Sequence, residues 1–143
     1  MFKKLTLLGL LIICMLPYAF AKEADLLEQV EGSARSWLEW LDNEKYLESW
    51  QNASLLLQKK TSEQEWIKTI TTLRNSRGKQ TARYIATASS AKSLSGFADG
   101  EYVILEFYTT FPEKGLALET VTLVKSKDST GVENWKVVEY SIR

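Results

Sequence analysis

The sequence predicts an α+β domain: three N-terminal helices packed on a curved four-stranded antiparallel sheet, preceded by a removable leader. Three features predict it. Apolar residues recur at steps of three and four between residues 24 and 76, which is helical spacing. Strict alternation replaces that spacing after residue 100, as in strands with two distinct faces. Turn-forming Asp-Gly, Pro-Glu-Lys-Gly and Lys-Asp-Ser-Thr-Gly segments separate the last runs.

The leader comes first. Lys3 and Lys4 precede an uncharged apolar run over residues 5–16; Pro17 breaks it, and Ala19-Phe20-Ala21 places small residues where a signal peptidase reads. The run is shorter than the roughly 20 residues needed to span a bilayer. The expectation is cleavage after Ala21, giving residues 1–21 as signal peptide and 22–143 as a single domain, periplasmic or secreted from a bacterium. Cys14 follows Ile12 and Ile13 rather than small residues, which disfavours lipid attachment. The cysteine leaves with the leader, so the domain has no disulfide or thiol chemistry and relies on packing. Lys3 and Lys4 also leave, so 16 basic residues then face 18 acidic ones, a net charge of −2. With no basic block, neither nucleic acid nor an anionic membrane surface is an expected partner.

The first helix is expected over residues 24–41, where Leu27, Val30, Ala34, Trp37 and Leu41 share one face. Asp42 is expected to cap a second helix over 43–59, with Tyr46, Trp50, Ala53 and Leu57 as its buried stripe. Asn52-Ala53-Ser54, a glycosylation sequon on paper, would then lie mid-helix. Ser62 and Glu65 form a capping box opening a third helix over 63–76, with Trp66, Ile70 and Leu73 inward and Gly78 as the stop.

Strands are expected over 80–90, 101–111, 117–126 and 134–142. In the second, Val103, Leu105, Phe107 and Phe111 point one way and Tyr102, Ile104, Glu106 and Tyr108 the other. In the fourth, Val138, Tyr140 and Ile142 share a face. Short turns favour a consecutive antiparallel meander. The sheet face away from the helices then carries Tyr102, Ile104, Tyr108, Trp135 and Val137, more apolar than a solvated face should be. A curled sheet or a partner, including a second copy paired through that face, would account for it.

The chain resembles a family of exported bacterial proteins catalogued as domain of unknown function 4019. The resemblance rests on Trp37-Leu38, Asp42, Tyr46, Trp50, Ala53-Ser54, Trp66, Arg74, Gly78, Arg83, Gly100-Glu101-Tyr102-Val103, Phe107, Phe111, Glu119, Val121, Trp135-Lys136-Val137, Tyr140 and Ile142. Glu139 departs from the Gly expected before Tyr140. The family implies no activity. The order of elements also resembles the nuclear transport factor 2-like, or cystatin-like, cone, in which a curved sheet wraps helices and can leave a pocket.

The chain lacks histidine. Together with the loss of Cys14 this excludes Ser-His-Asp and Cys-His nucleophilic catalysis within the domain and leaves no zinc set. No metal or cofactor is expected. Gly78-Lys79 lacks the remainder of a phosphate loop and reads as a helix stop. The trio Arg74, Arg83 and Glu119 offers the best polar candidates. Arg74 continues the Trp66–Ile70 face, so it needs a buried anion, for which Glu119 is the proposed partner; otherwise Arg74 or Arg83 would take a carboxylate ligand bidentately. Tyr46, Trp50 and Trp66 could line a ligand pocket or belong to the core. No catalytic residue is assigned. A non-enzymatic module binding a small molecule or an envelope protein is the expected function; the alternatives are a structural homo-oligomer and an enzyme using Asp, Glu, Tyr or Arg in a pocket.

Overall fold

A computed structural model describes residues 16–143. Four helices precede four strands: α1 (Leu16–Asp42), α2 (Tyr46–Gln51), α3 (Leu55–Lys60), α4 (Glu63–Asn75), β1 (Ala82–Ala91), β2 (Tyr102–Phe111), β3 (Gly115–Lys127) and β4 (Glu133–Ile142). The strands form one antiparallel sheet in the order β1-β2-β3-β4. The class is α+β, as the change of periodicity predicts, with one more helix than expected.

The first helix is longer than its apolar stripe suggests. It runs through Ala21, so the expected cleavage position falls inside its first turns, while residues 1–15 of the expected leader lie outside the described residues. Val30, Ala34, Trp37, Leu38 and Leu41 are buried. Leu27 remains 38% exposed, because the N-terminal half of α1 extends past the sheet rather than lying on it.

Asp42 is not an N-cap. The helix continues through it and reverses at Glu44, whose φ is +58°. Lys45 N donates to Trp40 O at 2.8 Å and Glu44 N to Leu41 O at 3.1 Å, a left-handed helix stop. The expected helix over 43–59 is two short ones. Ser54 adopts an extended backbone (ψ 156°), its hydroxyl accepts from Leu57 N, and its own N–H donates to Val137 O on β4 at 2.8 Å. The chain thus exchanges helical continuity for a bond to the sheet edge. The Asn52-Ala53-Ser54 sequon lies at this junction, not mid-helix.

The capping box stands as read: Glu65 N donates to Ser62 Oγ, and Ser62 N to Glu65 Oε2 at 3.2 Å. Gly78 takes φ +73° just beyond the helix, a conformation favouring glycine.

The helices cover one sheet face. Leu105, Phe107, Phe111, Val121, Leu123 and Val137 meet Leu38, Leu41, Leu57, Trp66 and Ile70 in the main core. Two irregularities in the ladder set which residues face it. The β1–β2 register shifts between Ile85 and Thr87, and the β3–β4 register shifts opposite Thr122 and Leu123, where Val138 is the extra residue. This bulge places Val137 in the main core and Val138 with Tyr102 and Val124 in a second cluster on the other face. Val138 therefore does not share a face with Tyr140 and Ile142. Val137 and Trp135 turn toward the helices instead of away.

The second face is half covered by the chain itself. The β1–β2 connection brings Leu94 and Phe97 over Tyr102, Val124 and Val138, where Leu56 of α3 joins them. Tyr102 donates its hydroxyl to Ala98 O, and Lys60 Nζ sits 4.6 Å from the Phe97 ring centroid. Beyond this strap Tyr84, Tyr108 and Leu116 stay exposed.

Candidate functional site

Two features of the molecule are candidates: a buried cluster of charged side chains and a cleft beside α1. The cluster draws on five elements. Asp42 ends α1, Arg74 sits in the last turn of α4, Arg83 is on β1, Glu119 on β3 and Tyr140 on β4. Each faces the core because its neighbours in phase are apolar: Leu38 and Leu41 for Asp42, Trp66 and Ile70 for Arg74, Ala117 and Val121 for Glu119.

The two arginines and two carboxylates close a ring. Arg74 Nη1 lies 2.8 Å from Glu119 Oε1, and Arg74 Nη2 lies 2.6 Å from Asp42 Oδ1. Arg83 Nε lies 2.7 Å from Glu119 Oε2. Its Nη1 and Nη2 donate to Asp42 Oδ2 and Oδ1 at 2.7 and 2.9 Å, a bidentate fork. Tyr140 donates to Glu119 Oε1 at 2.7 Å and Thr109 donates to Glu119 Oε2. The four charged side chains are between 0 and 8% exposed. Two positive and two negative charges cancel, which lets the group tolerate burial.

The electrostatics follow. Burial raises the Asp42 pKa, but hydrogen bonds and charge from Arg83 and Arg74 outweigh it and hold the carboxyl below its ordinary value of 3.8. Burial opposes the Arg83 charge, and Asp42 and Glu119 more than reverse that. Burial also opposes the Arg74 charge, which Tyr140, Glu119 and Asp42 hold in place. Burial and the Glu119 charge push the Tyr140 hydroxyl well above the usual phenol range, so it remains a donor.

The chemical consequence is that these guanidiniums are occupied. Every carboxylate oxygen of Asp42 and Glu119 accepts from an arginine, so an anionic ligand could bind Arg74 or Arg83 only by displacing one of them. The aromatic candidates are similarly engaged. Trp66 is buried and donates to Ser49 Oγ at 2.9 Å; Trp50 is half-buried and donates to Thr61 O at 2.9 Å. Tyr46 packs half-buried against the main core. Trp37 lies between Trp66 and Tyr140, with ring centroids 6.0 and 5.7 Å away, which joins the aromatic core to the ionic ring.

The cleft is elsewhere. It measures about 790 Å³ and opens between the overhanging half of α1 and one end of the sheet. Leu26, Val103, Ala91 and Trp135 supply its apolar wall, with Lys22, Lys92 and Glu23 among its charged lining residues. A second hollow of about 500 Å³ adjoins it past Gln29 and Trp135, against Trp37 and Trp40. Arg74, Arg83, Glu119, Tyr46, Trp50 and Trp66 line neither.

With this geometry in place, the sequence profile of the family described as protein of unknown function, DUF4019, matches residues 33–140. The chain belongs to that family. The matched span runs from the middle of α1 to Tyr140, so it contains the whole ionic ring, whereas Lys22, Glu23 and Leu26 of the cleft precede it. No match is found among the curated proteins.

Sequence reasoning paired Arg74 with Glu119 and missed Asp42 as a member of the same cluster. The signal was present: Asp42 stands one turn beyond Leu38 on the buried side of α1, and a carboxylate there needs a cation. Among the described residues, no group of three or more His, Cys, Asp or Glu is placed to hold a metal ion, and no helix is long and apolar enough to cross a membrane.

Proposed function

We propose that the chain is an exported, non-enzymatic binding module of the cell envelope, and that its ligand seats in the cleft between α1 and the sheet end. The observation that carries this reading is the cleft itself: about 790 Å³, within the range of small-molecule sites, with an apolar wall and a few charged groups. The ionic ring supports it from the other side, since its groups are consumed by one another and act as scaffold. A helical layer on one sheet face with an opening at one end is also what a nuclear transport factor 2-like cone presents, which supports that architecture as part of the proposal. Cleavage after Ala21 would remove Ala19 from the cleft and leave Lys22 as the first residue of a shortened α1, widening the mouth.

Leu26 is 38% exposed and faces the cleft from a helix that extends past the sheet, so Leu26→Trp fills the site without burying a mismatch. The test is native mass spectrometry of the protein after incubation with envelope extract. A bound species retained by the parent chain and by Leu55→Trp, a substitution at a residue 70% exposed and outside the cleft, but lost in Leu26→Trp, is expected. Equal retention in both variants, or no bound species, overturns the assignment. Intact mass of the exported protein checks the leader: retention of residues 1–21 refutes cleavage.

A further inference from the structure

The two edges of the sheet are treated differently. On the β4 side, Ser54 donates its backbone N–H to Val137 O and α3 packs alongside, so that edge is guarded. On the β1 side the edge is open. Thr87, Ala88, Ser89 and Ser90 are all exposed although alternate residues point to opposite faces; only at Ser90 does the cleft beside α1 flank the segment among the described residues. One acceptor at the start of the strand is taken, since Arg35 Nη1 donates to Arg83 O at 3.4 Å. Among the described residues, no such hydrogen bond ties residues 87–91.

The usual protections of a free edge are strand lysines, prolines, inward charges, bulges and covering segments. Beyond the bulge near Ala86, residues 87–91 read Thr-Ala-Ser-Ser-Ala, with no charge and no proline. The one charged residue of β1, Arg83, is neutralised inside the ionic ring.

We propose that this edge joins a second copy of the chain, the two β1 strands pairing antiparallel about a two-fold axis near Ser89 to make one continuous eight-stranded sheet. Three features favour a copy of the same chain. An antiparallel pair of identical segments is self-complementary by symmetry. The segment that would cross the axis brings no like charges together. Its small Ala and Ser side chains let two strands reach the usual spacing without a clash. The pairing leaves the ionic ring as it is and abuts the cleft, whose lining includes Ser90, Ala91 and Lys92, so chain mass rather than ligand retention reads it.

Light scattering on the protein as isolated from the expressing cell reads the outcome. The parent chain is expected at twice the chain mass. Ser89→Lys places two like charges across the axis and is expected to give one chain mass with unchanged far-ultraviolet dichroism. Ser90→Lys, whose side chain lies on the opposite face of the strand, serves as a second edge variant with the same expectation. Tyr108→Lys, on the exposed outer face, is expected to remain at twice the chain mass. A parent protein of one chain mass at its highest soluble concentration overturns the proposal. So does a dimer that survives both edge substitutions, or one that Tyr108→Lys breaks, which would move the contact to the sheet face.

Discussion

Replacing Glu119 with Gln keeps the side-chain volume and removes one negative charge from a residue that is 0% exposed. Glu119 accepts from four donors: Arg74 Nη1, Arg83 Nε, Tyr140 OH and Thr109 Oγ1. A glutamine can satisfy donors on only one of its two positions, because its NH₂ must face either the Arg74–Tyr140 pair or the Arg83–Thr109 pair, donor against donor. It also leaves two buried guanidiniums sharing one carboxylate. Removing one partner of a buried ion pair costs about 3–5 kcal/mol, a large part of the roughly 5–15 kcal/mol that holds a domain together. With a urea slope of about 1.5 kcal/mol per molar, the unfolding midpoint should fall by about 2–3 M. Tryptophan fluorescence follows it, because Trp37 and Trp66 lie in the core beside Tyr140. Glu106→Gln is the control: that carboxylate is 28% exposed, accepts from Thr87 and lies 3.6 Å from Arg143, so its removal should cost under about 0.5 kcal/mol. A loss below about 1 kcal/mol for Glu119→Gln, or equal losses for the two variants, would refute the view that the ring bears on stability.

Two further expectations follow from local chemistry. Asp42 is held below its ordinary value of 3.8 in the fold; the unfolded chain therefore takes up that proton more readily, and the stability Asp42 contributes is fully present above about pH 4 and is lost as pH falls below it. Urea midpoints measured from pH 7 down to pH 3 should be flat at first and then drop, with a smaller drop in Asp42→Asn, which starts lower; an equal drop in both would reject Asp42 as its source. Ser62→Ala removes the acceptor for Glu65 N at the start of α4 and should cost about 1 kcal/mol in the same assay, with no change in mass or ligand retention.

Much of the fold was legible because its signals are periodic. The strands follow from alternation, and the capping box from two side chains three residues apart. What was not legible depended on tertiary contacts. The helix over 43–59 breaks because Ser54 N–H finds Val137 O, 83 positions away in sequence. The inward turn of Val137 follows from a bulge at Val138, and nothing in a run of Trp-Lys-Val-Val-Glu-Tyr marks which of two valines is extra. Glu139 directly follows that bulge and pairs with Thr122. The ionic ring was half legible. Glu119 sits in the apolar phase of its strand between Ala117 and Val121, which announces a buried charge. Asp42 stands next to an equally ordinary helix-capping role, and only the continuation of α1 to a reversal at Glu44 decides between them.

The ring also bears on register. Alternation already penalises a slip of β3 by one residue, which would turn Val121 and Leu123 to the outer face, but a slip by two keeps the apolar residues on the core side. A slip by two puts Ala117 or Val121 where Glu119 stands and carries the carboxylate about 7 Å along the strand, out of reach of its donors. Two buried guanidiniums would then share the Asp42 carboxylate alone, uncompensated by one charge, and Tyr140 and Thr109 would lose their acceptor. The same step in β1 or β4 strands Arg83 or Tyr140. Each misalignment therefore costs at least as much as the Glu119→Gln substitution, about 3–5 kcal/mol, because it removes the same partner and misplaces others besides. A ring that draws one side chain from each of α1, α4, β1, β3 and β4 penalises every such two-residue slip at once, while an apolar replacement of equal volume would leave those slips to packing alone.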